Sequence, residues 1–172
     1  MNVDQKTAFD TIDVSISNHE PKLFFLDAPG GTGKTFVFNT LLSKYRSQKK
    51  IILATASSGI AALLLAGAKT SHAMYGIPLI CHEESSSSIR KRSDAAEMLK
   101  QADALFWDEA PMSSKNVVKV VDKLFRELTG NMDAPFGGKC VVFSGDFRQT
   151  LAVLKRGNRS AVIGNLLTKL EW

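Results

Sequence analysis

Three short stretches of this 172-residue chain carry the residue types needed to hold and attack a polyphosphate. In "DAPGGTGKT", Gly30, Gly31 and Gly33 offer backbone N–H groups with no Cβ in the way, Lys34 offers a cation and Thr35 a hydroxyl for Mg²⁺. The strict pattern G-x-x-x-x-G-K-[ST] has glycine where this chain has Ala28. Pro29 drives the residue before it toward extended angles, where a methyl group costs little. Pro29 also has no N–H, so phosphate contacts are expected from Gly31 through Thr32 and Gly33 to Thr35.

The second stretch, "ALFWDEAPM", places two carboxylates at the end of an apolar run. Asp108 is suited to hold Mg²⁺ through its outer shell, and Glu109 to orient and deprotonate an attacking water. Phe106 and Trp107 read as core residues. The third stretch is "SGDFRQT", where Arg148 or Gln149 has the chemistry to sense a terminal phosphate, and an ordinary loop is the plain alternative.

Such groups need a scaffold that brings strand ends together. Residues 22–27 ("KLFFLD"), 51–55 ("IILAT"), 104–108 ("ALFWD") and 139–146 ("KCVVFSGD") are continuous apolar runs, the pattern of strands covered on both faces. Between them, "KTFVFNTLLSKYR" and "KNVVKVVDKLFRELTG" have helical periodicity. In the second, Val117, Val121, Leu124, Phe125 and Leu128 share one face, and Gly130 suits the C-terminal cap. The N-terminal "NVDQKTAFDTI" reads as a helix with Phe9, Ile12 and Ile16 on one side and Asn2-x-x-Gln5 as a capping box. Strands alternating with helices predict one three-layer α/β domain with a mostly parallel sheet.

Bulk properties agree. The apolar fraction of 44% and the charged fraction of 23% are those of a globular domain, and the net charge of +5 is compatible with an acidic partner. Cys81 and Cys140 lack metal-ligand or disulfide-framework spacing. The longest apolar run, "IAALLLAGA", is far below the roughly 18 residues of a membrane span, and no signal-peptide pattern opens the chain. A soluble, intracellular protein without a membrane partner is expected.

Taken in order, "APGGTGKT", "ATASSGIAALLLAGAKTSHAMYGIP", "WDEAPM" and "SGDFRQTLAVLKRGNR" resemble the Pif-one-type DNA helicases of superfamily one, most of all their Helitron-related branch. The resemblance runs from Gln5 to Trp172. It implies a RecA-like P-loop NTPase domain using ATP and Mg²⁺ to drive 5′-to-3′ movement on single-stranded DNA, in repair, recombination, and telomere and genome maintenance. It also implies roles: Lys34 and Thr35 on phosphate and metal, Asp108 and Glu109 as the second ATPase motif, Gln149 as the γ-phosphate sensor and Gln5 on the adenine edge. Thr55, Ser57, Ser58 and Gly59, with Thr70 and His72, match DNA-contacting motifs; hydroxyls and loop N–H groups there can hold phosphates without reading sequence. Tyr75 is open between stacking a base and packing in the core. The basic Arg90, Lys91 and Arg92 read as a solvated loop.

Departures from the pattern set further expectations. Ala152 stands where the family commonly has proline, and the second motor domain, with its arginine finger, is expected after Trp172 and missing from the chain. The resemblance therefore implies half a motor, as a fragment or a truncated product, placed in the nucleus or mitochondrion. A non-enzymatic nucleotide- or DNA-binding remnant of a transposon-derived gene is the alternative. A small-molecule P-loop kinase is disfavoured because no arginine-bearing lid sequence is present.

Overall fold

A computed structural model describes residues 1–146. Its elements in chain order are α1 (Val3–Ser17), β1 (Leu23–Asp27), α2 (Lys34–Ser47), β2 (Ile52–Ala56), α3 (Gly59–Leu64), β3 (Lys69–Thr70), α4 (Ser71–Tyr75), α5 (Asp94–Gln101), β4 (Ala104–Asp108), α6 (Lys115–Thr129) and β5 (Cys140–Gly145). Short 3₁₀ turns occupy Ala110–Met112 and Pro135–Gly138. The strands form one sheet in the order β1-β5-β4-β2-β3, and every described pairing is parallel. Three layers and a parallel sheet are thus as the sequence predicts.

Strand alternation sorts the core into two halves. Ile52, Ala54, Ala104, Phe106, Cys140 and Val142 face α1 and α2, where Ile12, Ile16, Phe38, Leu41 and Tyr45 close the packing. Leu53, Leu105, Trp107, Val141 and Phe143 face the other way, onto Val117, Val118, Val121, Leu124 and Phe125 of α6 and Leu99 of α5. The capping box at Asn2 and Gln5 is formed, and Gly130 caps α6 with φ +77°. Phe106 and Trp107 lie in the core.

β1 departs from the expectation. Among the described residues it is an edge strand with alternating burial, and Leu23 and Phe25 remain 37% exposed while β2, β4 and β5 are buried throughout. A run such as "LFFL" contains no polar residue to betray a half-covered edge, so hydrophobicity alone overestimates its burial. No helix among the described residues is long and apolar enough to cross a membrane.

Candidate nucleotide site and nucleic-acid loops

Because all pairings are parallel, the carboxyl ends of the strands lie along one rim, with Asp27 level with Gly145 and Ala56 level with Asp108. Ligands in open parallel sheets bind beyond this rim. From β1 the chain passes through residues 28–33 into α2, whose first residue is Lys34. Gly31 (φ +77°) and Gly33 (φ +89°) take left-handed angles that other residues adopt at a cost of roughly 1–2 kcal/mol. Ala28 is absent from the positive-φ residues, as its place before Pro29 predicts.

The loop is braced from within. Lys34 Nζ donates to the carbonyls of Ala28 (2.6 Å) and Pro29 (3.1 Å), and Thr32 Oγ1 donates to Pro29 O (2.7 Å). Gln5 braces it from α1, donating from Nε2 to Thr32 O at 2.9 Å while its Oε1 accepts from Asn2 N at 3.0 Å. A Cβ on Gly33 would sit 2.4 Å from Gln5 Nε2, so a side chain here would push the Gln5 amide off Thr32 O, and the positive φ is what calls for glycine. Beside the loop lies a cleft of about 440 Å³, lined by Asn2, Gln5, Ala28, Pro29, Thr32 and Lys34 among others.

The carboxylates stand two strands away. Asp108 is buried, and its Oδ1 accepts from Glu109 N (2.9 Å) and from the Ser144 hydroxyl of the neighbouring strand. Strand alternation puts Asp108 and Ser144 on the α2 side, the side on which Lys34 and Thr35 begin their helix. Among the described residues nothing bonds Asp108 Oδ2 or the Thr35 hydroxyl, and two oxygens of this kind suit Mg²⁺, which keeps several waters and binds through one or two protein groups plus phosphates. No cluster of three or more His, Cys, Asp or Glu able to hold a metal alone exists among the described residues.

Glu109 turns out of the strand with φ 51° and ψ 36°, a left-handed conformation uncommon for a non-glycine residue and frequent at functional sites. Burial pushes its carboxyl above the ordinary glutamate value, the Asp108 charge adds to this and the Asp146 charge contributes in the same direction, while Lys34 opposes them. A raised pKa improves a carboxylate as a proton acceptor at neutral pH.

The residues matching DNA motifs divide into two groups. Ser58 caps α3 through Ala61 N (3.2 Å), Gly59 opens that helix, and Thr70 caps α4 through Ala73 N (3.3 Å). His72 Nδ1 lies 3.2 Å from Ile77 O. These are exposed or half-buried and lie where β2 and β3 pass into α3 and α4 at the same rim. The second group is interior. Thr55 is fully buried, with its hydroxyl donating to Phe106 O (3.1 Å), and so is not a surface contact. Tyr75 is also fully buried, packed against Trp107 and Phe125 with centroids at 5.8 and 5.9 Å, so its ring shows no face to a base. The core reading of Tyr75 holds. Burial also raises its phenol pKa. Arg90, Lys91 and Arg92 are exposed, with Lys91 paired to Glu127 at 3.0 Å.

The model of the family described as PIF1-like helicase matches residues 1–172. The chain belongs to the PIF1-like helicase family. Among its relatives, an ATP-dependent DNA helicase PIF1 of Trypanosoma brucei brucei is 29% identical over 80% of this chain and 13% of its own length. An ATP-dependent DNA helicase Pif1 of a Psychrobacter species is 31% identical over 79% of this chain and 21% of its own. The chain therefore spans a quarter or less of either protein. A solved Bacteroides Pif1 bound to single-stranded DNA superposes with a TM-score of 0.73 at 26% identity, over 95% of this chain and 36% of that one. The Bacteroides protein in complex with ADP-AlF₃ and single-stranded DNA gives 0.73 at 28% identity, over 91% and 35%.

For a PIF1-like helicase the structure thus brings Gln5, the phosphate loop, Asp108 and Glu109 to one rim, with the 57–59 loop next along it. Gln149, the expected γ-phosphate sensor, and Ala152 lie outside the described residues. Three residues at the site escaped the sequence reading. Ser144 holds Asp108, Ser113 meets Ser57, and Gly145 accommodates the Pro111 ring, which a Cβ there would approach to 2.3 Å. Serines reveal their partners only once the strand order is known, because the contacts link residues 36 and 56 positions apart.

Proposed function

We propose that this chain is the first RecA-like motor domain of an ATP-dependent DNA helicase, binding Mg-ATP at its strand rim and single-stranded DNA along the adjoining loops. The observation that carries the reading is that the braced phosphate loop and the fixed Asp108–Glu109 pair share one rim of the sheet, close enough for the Lys34 charge to act on Glu109. In this reading the N–H groups of Gly31 to Thr35 and the α2 N-terminus cradle the phosphates, and Gly30 lets the backbone approach. Lys34 exchanges its carbonyl partners for β- and γ-phosphate oxygens. Thr35 and Asp108 are the residues that would hold Mg²⁺ together with the nucleotide, and the ion would supply charge neutralisation on the transferred phosphoryl group.

Glu109 takes the proton of the attacking water. Gln149 senses the γ-phosphate. Gln5 reads the adenine edge, turning its amide from Thr32 O toward the base; the cleft beside it has room for one. Ser58, Gly59, Thr70 and His72 hold the DNA backbone, with Ser57 as the link to the ATPase residues. The 5′-to-3′ direction, the work in repair, recombination and telomere maintenance, and the nuclear or mitochondrial setting follow from the family. A second motor domain completes the ATP site, and an arginine finger of the kind it supplies is worth about 10³–10⁵ in rate.

The test is direct. A fluorescent ATP analogue titrated into the 172-residue chain should bind in a Mg²⁺-dependent manner, with hydrolysis very slow and no duplex unwinding. Robust unwinding by the chain alone, or no nucleotide binding at all, would overturn the reading.

A further inference from the structure

Ser57 was expected to turn its hydroxyl toward a DNA phosphate, yet that hydroxyl is already engaged with the other motif. The Trp107 indole N–H can only donate, and it donates to Ser57 Oγ at 3.1 Å. Ser57 Oγ also lies 2.8 Å from Ser113 Oγ, and Ser57 N donates to Asp108 O at 3.1 Å. Trp107 and Ser113 flank the two carboxylates in sequence, so one hydroxyl is gripped from both sides of the catalytic turn.

The two grips differ in mobility. The Trp107 ring is 1% exposed and packed against Tyr75 and Phe143, which makes it a fixed point. Ser113 ends the 3₁₀ turn that begins at Glu109, and the turn is closed by Met112 N to Glu109 O (3.0 Å) and Ser113 N to Ala110 O (2.9 Å). A turn so short and closed moves as a unit, so a displacement of Glu109 displaces Ser113. On the far side, Ser57 is followed by Ser58, the cap of α3, and Gly59, its first residue.

We propose that Ser113 is a positioning residue that passes the position of the Asp108–Glu109 turn, through the Ser57 hydroxyl, to the 57–59 loop and the α3 N-terminus. Nucleotide at the rim and single-stranded DNA on the loop then sense one another without touching. The proposal rests on the reading above and concerns the coupling of two sites, not the affinity of either. Coupling of this kind is reciprocal and typically amounts to about 5–150-fold in affinity.

The experiment uses the full chain and measures the Kd of a fluorescein-labelled oligodeoxythymidine with and without saturating Mg²⁺ and a non-hydrolysable ATP analogue. The parent should show about a fivefold difference or more. Ser113→Ala should reduce it to less than about twofold while each ligand alone binds within about twofold of the parent, and Ser113→Thr, which restores a hydroxyl, should recover the coupling. An independent arm follows the Trp107 indole N–H resonance, assigned by Trp107→Phe, which should shift on nucleotide binding in the parent. Undiminished coupling in Ser113→Ala overturns the proposal, as does a silent indole when the fluorescent nucleotide is bound. Independent binding of nucleotide and DNA in the parent overturns it too, yet leaves the proposed function standing. Failure to bind nucleotide overturns both.

Discussion

Ser144 on β5 donates its hydroxyl proton to Oδ1 of Asp108 on β4, fixing the buried carboxylate from the strand that lies between it and the phosphate loop. The bond is charge-assisted and enclosed, and among the described residues that oxygen has one other donor, the Glu109 N–H. Ser144→Ala should cost about 1–3 kcal/mol in urea unfolding, the range for stripping a partner from a buried charged acceptor. It should also shrink the gain in nucleotide affinity on adding Mg²⁺, measured by titration in Mg²⁺ and in EDTA. An unchanged Mg²⁺ dependence would mean that Asp108 is held adequately without Ser144.

Lys34 and Ala28 make a paired case, because the Lys34 ammonium rests on the Ala28 carbonyl. Removing the ammonium deletes charge-assisted bonds worth about 1.5–3 kcal/mol, so Lys34→Ala should weaken Mg-ATP binding by roughly one to two orders of magnitude. Ala28→Gly should leave affinity within about twofold, since the carbonyl is kept and the backbone there needs no positive φ. A large gain from the glycine would show that the Ala28 methyl obstructs the loop.

Gln5 serves a structural role that its proposed base contact must displace. Its amide oxygen closes the capping box with Asn2 and its amide nitrogen props Thr32 O. Gln5→Ala should therefore lower stability by about 0.5–1.5 kcal/mol through the lost half of the capping box. If Gln5 also reads adenine, ATP affinity falls several-fold more than GTP affinity, and we expect that outcome in parallel titrations. Equal losses for the two nucleotides would reduce Gln5 to a prop.

The legibility of this molecule in its sequence follows contact order. The phosphate loop, the α1 capping box and the Gly130 cap are local, written within a few residues, and each appears where the sequence places it. Strand β4 is read to the residue because "ALFWD" is bounded by polar groups on both sides. β3 is invisible, being the two residues Lys69 and Thr70, paired to β2 without any apolar pattern. The edge position of β1, the Ser144 and Ser113 contacts and the burial of Thr55 depend on strand order, which no local pattern encodes. Tyr75 shows the same limit. Its motif context suited a ligand, its aromatic character suited a core, and only the packing of Trp107 and Phe125 around it decides.

That burial has a consequence for stability. The Tyr75 hydroxyl is enclosed with no well-formed hydrogen bond among the described residues; Thr55 Oγ1, which donates to Phe106 O, faces it with lone pairs free, but the geometry between the two hydroxyls is poor. A buried hydroxyl left unsatisfied costs about 1–3 kcal/mol. Tyr75→Phe removes that polar group and keeps the ring that packs on Trp107 and Phe125, so it should leave stability unchanged or raise it by about 1 kcal/mol. Single-stranded DNA affinity should not change, because the ring is already covered. Tyr75→Ala, by contrast, opens a cavity in the α6 side of the core and should cost about 3–5 kcal/mol, the range for deleting a large buried aromatic. A clear loss of stability in Tyr75→Phe, read from urea unfolding, would show that the hydroxyl finds a partner in solution. A selective loss of DNA binding in that variant would return Tyr75 to the nucleic-acid surface.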